Sequence, residues 1–540
     1  MIQGERLPSF IWLRRCGAIV FAGIVVAGAV ACERGRPEMV PDLPDDPRDA
    51  APVAVPESSA HWQGEMAGEV TRESVLLQAR LSADGKVGFR DVRGRPGIAA
   101  FALSTEEDLS KAFRTRWMLA SSQGDYIVKT RVNGLAPGKR YHYRLLSGSA
   151  LDALEAGPTG TFRTLDGRGT SRAVSFVAIT GMNEFAFHYN SSVDRKELGF
   201  PALEAIVSEA PDFLVATGDN VYYDTPAMWR ARSPEKMRTK WHRQFATPRF
   251  AALFQRVPVY WEKDDHDHRY NDSDPHGPLE PSNALGIEIF LEQVPVVDPT
   301  DANPVTYRTH RVNDLLQIWL TEGRDYRDAN TKPPGPDKTM WGAEQKAWLK
   351  RTLLESDATF KLLISPTPMI GPDDRLTGVQ SGILSFVVGG SPIGQGDDER
   401  KLDNHTNPDG FKDEADEFFA WLSRSGFRQR NFYIVCGDRH WQYHSIRPDG
   451  FEEFSTGALV DGNARLGPRP GDEHSTDPDA RISQPYAQDE KSGGFLKVTV
   501  RPRQGEERAA ATFAFYDEKG APLYRIERAA QERSGSPAGR

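Results

Sequence analysis

Cysteine is scarce in this sequence: only Cys16, Cys32 and Cys436 occur among 540 residues. Three cysteines so far apart cannot build a disulfide framework or a metal site made of thiolates. A metal site in this chain is therefore expected to use oxygen and nitrogen ligands, which suit hard and borderline cations.

An excess of positive charge is also missing. The chain has 67 Lys and Arg residues against 76 Asp and Glu residues, a formal net charge of −9. Nucleic-acid binding needs a basic face, so we expect no stable nucleic-acid partner. Hydrophobic residues make up 39% and charged residues 26% of the chain, which excludes wholesale disorder and a polytopic membrane protein. At about 100–200 residues per domain, the length predicts more than one folded unit.

Long hydrophobic runs are absent except near the N-terminus. Arg6, Arg14 and Arg15 precede an apolar run of roughly 15 residues, shorter than the about 20 that span a membrane, and this pattern is typical of a secretory signal. The run ends in Ala29-Val30-Ala31-Cys32, which resembles a bacterial lipobox, so a lipidated Cys32 would tether the mature chain to a membrane. An ordinary signal with an incidental cysteine, or an uncleaved anchor, is the alternative. In each case we expect an exported protein, periplasmic or at the cell surface.

In the rest of the chain, the spacing of apolar residues changes along the length. Short alternating strands such as Ser74–Leu81 and Tyr126–Val132 predict a small fibronectin-III-like β-sandwich without catalytic residues. Apolar strands then alternate with helices, predicted at Pro201–Ala210, Gly342–Glu355 and Asp413–Ser423, which is typical of an α/β domain. The predicted division is a signal at residues 1–31, a disordered linker at 32–60, the β-sandwich at 61–166, a catalytic domain at 172–528 and a tail at 529–540.

Three predicted strands of the α/β domain end in loops rich in carboxylates and imidazoles. These strands and loops are Phe213–Thr217 followed by Gly218-Asp219, Val257–Trp261 followed by Asp264-Asp265-His266-Asp267-His268, and Phe432–Cys436 followed by Gly437-Asp438-Arg439-His440. One such loop is weak support, because Gly-Asp after a strand is usually only a turn. Three on core strands of one domain predict a shared metal centre.

The order of these motifs resembles one known family. GDxxY (Asp219, Tyr222), WxxDDHD (Trp261 to Asp267), RxYRD (Arg324 to Asp328) and GDxH (Asp438, His440) are similar to the alkaline phosphatase D, or PhoD-like, family of metallophosphoesterases. The resemblance covers most of the mature chain. It implies a four-layer α/β/β/α core, two metal ions (iron and calcium in well-known relatives), and hydrolysis of small phosphate monoesters or diesters by a metal-bound hydroxide.

One departure from the family concerns the metal. The family usually has a Gly-Ser-Cys turn after its first catalytic strand, and its cysteine helps to bind iron. Here the turn reads Gly181-Met182-Asn183. Asn183 could supply an oxygen ligand, or the site could be rebuilt or weakened, so the identity of the metals stays open.

Each candidate side chain is given an expected role. We expect Asp219 to bridge the two cations, because one carboxylate can span both. The other expected metal ligands are Tyr222 and His440 on one ion, Asp265 and Asp438 on the other, and Asn183. His266 is expected to protonate the leaving oxygen. Arg324 is expected to clamp phosphate oxygens, with a surface ion pair as an equal alternative.

Several neighbouring polar residues have weaker assignments. Asp267, His268 and Asn271 are expected to orient the ligands. A second group could line the pocket or simply pack, and consists of Asn404, His405, Trp441 and His444.

Two other functions stay open. The chain could be a tethered, non-catalytic binding protein with a degenerate metallophosphoesterase domain, and the missing cysteine is the main support for that view. It could also be a metal-dependent hydrolase of another ester class, such as sulfate or carboxylic esters. The residues indicate no oligomeric state and no natural substrate.

Overall fold

The computed structural model of the chain describes residues 63–83, 91–375 and 400–531. The predicted signal, Cys32 and the predicted linker lie outside the described residues, as do residues 532–540 of the predicted tail. Among the helices of the described ranges, none is both long enough and apolar enough to cross a membrane.

The described ranges contain twenty-two strands and seven α-helices. The strands are β1 (Met66–Gly68), β2 (Ser74–Arg80), β3 (Gly97–Ser104), β4 (Phe113–Arg114), β5 (Met118–Ala120), β6 (Ile127–Asn133), β7 (Arg140–Gly148), β8 (Leu154–Ala156), β9 (Gly160–Arg163), β10 (Val174–Ile179), β11 (Phe213–Thr217), β12 (Val259–Glu262), β13 (Arg308–Arg311), β14 (Leu316–Leu320), β15 (Phe360–Ser365), β16 (Phe432–Cys436), β17 (Gln442–Ile446), β18 (Glu452–Thr456), β19 (Ser483–Ala487), β20 (Gly494–Arg501), β21 (Ala510–Asp517) and β22 (Pro522–Ala529). The helices are α1 (Glu184–Asn190), α2 (Pro201–Ser208), α3 (Pro234–Phe245), α4 (Pro248–Phe254), α5 (Asn283–Gln293), α6 (Gly342–Glu355) and α7 (Lys412–Arg424).

The strands form three sheets. Sheet I has nine strands in the order β22-β21-β20-β10-β11-β12-β1-β2-β6, and sheet II has seven in the order β13-β14-β15-β16-β18-β17-β19. Sheet III has six, in the order β4-β3-β7-β8, with β5 paired to β3 and β9 to β7. The central strands β10, β11 and β12 of sheet I run parallel, as do β14, β15 and β16 of sheet II. Central parallel strands are covered on both faces, which explains why β11 is an unbroken buried run, FLVAT.

Three apolar clusters define the layers around sheets I and II. The first lies between the sheets and joins Phe176 and Val215 of sheet I to Leu362 of sheet II. The second packs helices α2 to α5 on the other face of sheet I, and the third packs α6 and α7 on the other face of sheet II. The order is helix, sheet, sheet, helix, so the predicted mixed α/β class is confirmed.

The N-terminal region differs from the expected separate sandwich. Its strands β1, β2 and β6 extend sheet I, because Gly68 of β1 pairs in parallel with Val259 of β12. Sheet III covers this extension, and Leu77, Phe101 and Tyr143 pack in the same apolar cluster as the core between sheets I and II. A self-contained fibronectin-III-like sandwich is therefore not confirmed. Alternating residues reveal which face of a strand is buried, but they do not reveal which strand lies beside it.

Candidate metal centre

Three polar loops meet where the carboxyl ends of β11, β12 and β16 come together. Thr217 of β11 lies opposite Glu262 of β12, so the loops that follow leave sheet I at the same level. The strand β16 belongs to sheet II, yet Gly437 directly after it packs on Thr217. A Cβ atom at position 437 would lie 2.5 Å from Oγ1 of Thr217. The bare glycine backbone thus lets the third loop reach the first two.

Asp219 lies at the centre of this meeting point. Gly218 and Asp219 have φ angles of 88° and 53°, which turn the chain sharply out of β11. The Asp219 side chain is almost wholly buried, and its Oδ2 accepts a hydrogen bond from the Tyr222 hydroxyl at 2.7 Å. The same oxygen lies 3.1 Å from Nε2 of His440. The second oxygen, Oδ1, is buried without a hydrogen-bond partner.

Tyr222 contributes its phenol from the same loop. Its hydroxyl lies 3.1 Å from Nε2 of His440 and accepts a hydrogen bond from Nδ2 of Asn463 at 3.0 Å. Burial, reinforced by the charge of Asp219, raises the pKa of Tyr222 well above its ordinary value. The phenol is therefore neutral in this arrangement. Its proton lies among predicted ligands, where a cation would displace it.

Asp219, Asp265 and His266 form the tightest group: one ligand atom from each lies within 4.8 Å of the others. Nδ1 of His266 lies 2.8 Å from Oδ1 of Asp224, and the imidazole stacks on the Tyr222 ring with centroids 4.1 Å apart. Burial lowers the pKa of His266, but three nearby carboxylates, Asp224 foremost, outweigh burial and raise it well above its ordinary value. His266 is therefore a proton-carrying group oriented by Asp224.

The third loop contributes Asp438 and His440. The Asp438 carboxylate pairs with Arg439, whose Nη2 also lies 2.9 Å from Oδ2 of Asp373. Burial, with the charge of Arg465 next in importance, lowers the pKa of His440 well below its ordinary value. The imidazole is therefore neutral, which is the form that ligates metals.

Arg324 lies behind the cluster and not at its mouth. It is fully buried, its Nε donates to Oδ1 of Asp264 at 2.6 Å, and its Nη1 donates to the backbone oxygen of Ser273 at 2.9 Å. Its Nη2 lies 3.9 Å from Oδ1 of Asp265. Full burial excludes the surface ion pair. Because Nη2 has no hydrogen-bond partner, the phosphate clamp stays a prediction. The guanidinium holds the loop that carries Asp264 and Asp265.

Asn183 also differs from the prediction of an oxygen ligand. Its Oδ1 accepts a hydrogen bond from the backbone nitrogen of Ala186 at 3.0 Å and caps helix α1. Its Nδ2 faces Oδ1 of Asn463 at 3.4 Å. The side chain therefore begins a helix and contacts the hydrogen-bond partner of Tyr222, and its oxygen is engaged away from the cluster.

The residues expected to orient the ligands do connect the loops. Oδ1 of Asp267 accepts from the backbone nitrogen of Asp264 at 2.8 Å, and Oδ2 accepts from the side-chain amide of Asn220 at 2.5 Å. This carboxylate thereby ties the second loop to the first. Nε2 of His268 lies 2.7 Å from Oδ1 of Asn283, which fixes the loop to α5.

The group that could line the pocket or pack is occupied with local structure. His405 lies 3.1 Å from Glu414 of α7, and His444 lies 2.7 Å from Glu452. Oδ1 of Asn404 accepts from the backbone of its own turn. Trp441 is fully buried. These side chains support neighbouring elements and do not join the cluster.

Three residues that border the site were missed from the sequence. Asp224 could have been suspected, because it follows Tyr222 in the same polar loop. Asn463 and Arg465 lie in a loop without a recognisable motif, and Asn463 is 241 residues from its partner Tyr222. Only the fold brings this loop to the site.

The side chains present fit metal ions. Oδ1 of Asp219 and Oδ2 of Asp264 are buried without hydrogen-bond partners, an arrangement that costs free energy unless something else satisfies them. Burial, together with neighbouring carboxylates, raises the pKa of both Asp219 and Asp264 well above the ordinary value. Bound cations would satisfy the oxygens and offset the repulsion.

Comparison with known proteins places this arrangement in context. The sequence profile of the PhoD-like phosphatase matches residues 185–508, and that of the PhoD-like phosphatase N-terminal domain matches residues 49–166. Alkaline phosphatase D of Bacillus subtilis (strain 168) is 23% identical over 473 residues, which cover 82% of this chain and 76% of that protein.

Two solved structures share the fold. A structure of PhoD superposes with a TM-score of 0.64 at 17% identity, covering 89% of this chain and 95% of that one. A purple acid phosphatase from yellow lupin (Lupinus luteus) seeds superposes with a TM-score of 0.54 at 11% identity, covering 87% of this chain and 74% of that one.

Proposed function

This chain belongs to the PhoD-like phosphatase family, and on that premise we propose that it is a metal-dependent hydrolase of phosphate monoesters, diesters or both. The observation that carries the proposal is the group formed by Asp219, Asp265 and His266, with Tyr222 and His440 in contact with Asp219. Carboxylates, imidazoles and a phenol converge there, and Oδ1 of Asp219 is buried in the group without a hydrogen-bond partner.

The proposed cofactors are two metal ions, iron and calcium. Tyr222 and His440 would hold iron, because phenol and imidazole suit a borderline cation, while the carboxylates of Asp265 and Asp438 would hold calcium. Asp219 has contacts on the iron side through one oxygen and an unpartnered second oxygen, so it would serve both ions. When bound, such ions polarise the phosphoryl group and activate water.

His266 is the proposed acid. Asp224 accepts the hydrogen bond from Nδ1 and so fixes the ring, which leaves Nε2 as the nitrogen without a hydrogen bond in the described part of the chain. The hydrogen bond to Asp224 favours the protonated ring, so Nε2 would donate its proton to the leaving oxygen. After the transfer the imidazole is neutral and still held by Asp224.

The test is a substrate panel with the metal-loaded protein. We expect turnover of nitrophenyl phosphate, bis(nitrophenyl) phosphate or both, and none of nitrophenyl sulfate. His266→Ala is expected to lower kcat by about 10²- to 10⁴-fold, most for alkyl esters with poor leaving groups, with unchanged metal content. The exposed His276 gives the matched control, His276→Ala. Absence of turnover with metal bound would favour the binding-protein alternative, and sulfate turnover would favour another ester class.

Export and a membrane tether through lipidated Cys32 are part of the proposal. Their support is the basic start, the short apolar run and the Ala29-Val30-Ala31-Cys32 ending of the N-terminal sequence. Fractionation of cells that express the wild type and Cys32→Ser tests this. The wild type is expected in the membrane fraction, and the variant is expected to lose the lipid and become releasable. Identical fractionation of both would contradict the lipobox.

A further inference from the structure

We propose that Arg465 binds the phosphate group of the substrate, a role that rests on the proposed phosphoesterase function. Arg324, which the motif pattern had favoured, is buried behind the site with Asp264 and a backbone oxygen as its partners. A more exposed arginine is therefore a better candidate to face the substrate. Arg465 is the guanidinium whose position and lack of partners suit that task.

The loop that carries Arg465 is attached to the site at two points. Asn463, at the end of a short 3-10 turn (Asp461–Asn463), donates from Nδ2 to the Tyr222 hydroxyl at 3.0 Å. Two residues later, the backbone nitrogen of Arg465 donates to the backbone oxygen of His440 at 3.0 Å. The backbone of Arg465 therefore lies beside His440, and its loop also contacts Tyr222 through Asn463.

The direction of the Arg465 side chain is set by Trp441. The guanidinium carbon lies 5.0 Å from the centre of the Trp441 ring, a distance typical of a cation–π contact. Gly467 presses the same loop onto that ring, since a Cβ atom at position 467 would lie 1.8 Å from it. Because Trp441 is fully buried, it gives the arginine a rigid platform.

Arg465 has no close anionic partner. Its Nε is buried without a hydrogen-bond partner. Its charge acts on Asp373 and Asp374, where it lowers the pKa against the effect of burial, without forming an ion pair within 4.0 Å in the described ranges. Arg439, which also stacks on Trp441, is by contrast paired with Asp373 and Asp438.

A partly buried guanidinium without a partner calls for an anionic ligand. The planar fork of arginine matches two oxygens of one phosphate, and such charge-assisted pairs are stronger than neutral hydrogen bonds. The backbone of Arg465 is hydrogen-bonded to His440, so its guanidinium would be available to the non-bridging oxygens of a phosphate ester at the expected metals. A monoester dianion has more charge there than a diester monoanion, so loss of Arg465 is expected to harm monoester binding more.

The experiment compares the metal-loaded wild type with Arg465→Ala and Arg465→Lys, using inorganic phosphate as a competitive inhibitor. For Arg465→Ala we expect the inhibition constant of phosphate and the KM for nitrophenyl phosphate to rise about 10- to 100-fold, as for loss of a charged hydrogen bond. The KM for bis(nitrophenyl) phosphate should rise less, and metal content should not change. Arg465→Lys, which keeps the charge but not the fork, should fall in between.

A matched control is available at the opposite end of β17. Arg447 also stacks on an aromatic ring, Phe419, but pairs with Asp416 and Asp449 on the outer helix layer. Arg447→Ala should leave phosphate inhibition unchanged. If the wild type hydrolyses phosphate esters and both Arg465 variants keep wild-type phosphate inhibition and metal content, this inference is overturned while the proposed function stands. If the wild type hydrolyses none, the proposed function itself fails.

Discussion

Among the clusters of buried charge in the described residues, two treat their charged groups in opposite ways. One joins the N-terminal region to helix α3. There, Oδ2 of Asp125 lies 2.5 Å from Nε2 of His242 and accepts from Nε2 of Gln293 at 2.7 Å, while Oδ1 lies 3.3 Å from Arg80. The other nitrogen of His242 lies 2.7 Å from Asp91. Burial raises the pKa of Asp125, but His242 and Arg80 outweigh it and keep the pKa below its ordinary value.

The second place is the cluster around Asp219. Its carboxylates crowd one another, two of their buried oxygens lack partners, and the pKa of Asp219 is raised rather than lowered. A closed network stabilises the fold by itself, whereas an open one costs stability until a ligand arrives. The difference shows that several buried carboxylates in mutual repulsion, more than burial alone, distinguish the Asp219 cluster from the closed network.

The strongest test of the contrast between the Asp219 cluster and the closed network is the variant Asp219→Asn. We expect activity to fall on the order of 10⁴-fold and metal content to fall with it, because metal-ion catalysis supplies several kcal/mol. The metal-free variant should unfold at a higher temperature than the metal-free wild type, because one repelling buried charge is gone. Metal analysis, kinetics and thermal unfolding check this. Full turnover with bound metal would refute the bridging role.

Glu65 is a single buried carboxylate to compare with the several carboxylates around Asp219. Its two side-chain oxygens have no hydrogen-bond partner. Burial raises the pKa of Glu65 from 4.5 to about 8. Between pH 4.5 and about pH 8, Glu65 is protonated in the folded chain and ionised in the unfolded chain. The free energy of unfolding therefore falls as the pH rises from 4.5, and this loss is complete above pH 8. Glu65→Gln should therefore stabilise the protein at pH 9 by up to roughly 5 kcal/mol, at about 1.4 kcal/mol per pKa unit, and change little at pH 5.

Denaturant unfolding at pH 5 and pH 9 measures this effect. The exposed Glu73 provides the control, and Glu73→Gln should leave the pH dependence of the wild type intact. If the free energy of unfolding changes equally with pH in Glu65→Gln and in the wild type, the raised pKa of Glu65 is contradicted.

Asp125→Asn tests the closed network. Removing the charge leaves Arg80 buried without its anion and leaves His242 with Asp91 as its only carboxylate partner in the described residues. We expect a loss of about 3–5 kcal/mol in the free energy of unfolding. The kcat of the folded fraction should not change. Asp91→Asn is the control, because Asp91 contacts the same histidine but its side chain is 45% exposed, so about 1 kcal/mol or less is expected. Equal losses from both variants would contradict the contrast.

Asp267→Ala should have the smallest effect on the site. Its carboxylate touches no substrate and only joins the loop of Asp264 to Asn220. We expect metal affinity, followed by titration with calcium, to fall about 10- to 100-fold, as for other residues that support metal ligands. Unchanged affinity would show that the two loops hold their positions without this bridge.

The sequence predicted much of the secondary structure and the centre of the site. Helix α6 has the predicted bounds, Gly342–Glu355, and α7 extends the prediction by one residue at each end. These helices follow from apolar spacing, which is local information. The loops after β11 and β12 meet because the carboxyl ends of neighbouring parallel strands share one edge of a sheet. The loop after β16 comes from sheet II and reaches them through the contact of Gly437 with Thr217.

The sequence could not predict how deeply a side chain is buried or which distant residues contact each other. The RxYRD motif gives no sign that Arg324 is wholly buried, since that follows from where Asp264 lies in the fold. Asn183 could have been interpreted as a helix cap, because asparagine is favoured directly before a first helical turn. The Asn463–Arg465 loop had no local signal, since its importance arises from contacts with Tyr222 and His440.

The contact of Gly437 with Thr217 has a consequence for how this protein fails. At this contact the loop after β16 of sheet II touches the end of β11 of sheet I, and the ligand loops depart from either side of it. Any slip of one sheet against the other would therefore spread the ligands apart before the apolar layers separate. We therefore expect the affinity for cations to fall in mild denaturant, at concentrations where the helix content of the protein is still unchanged.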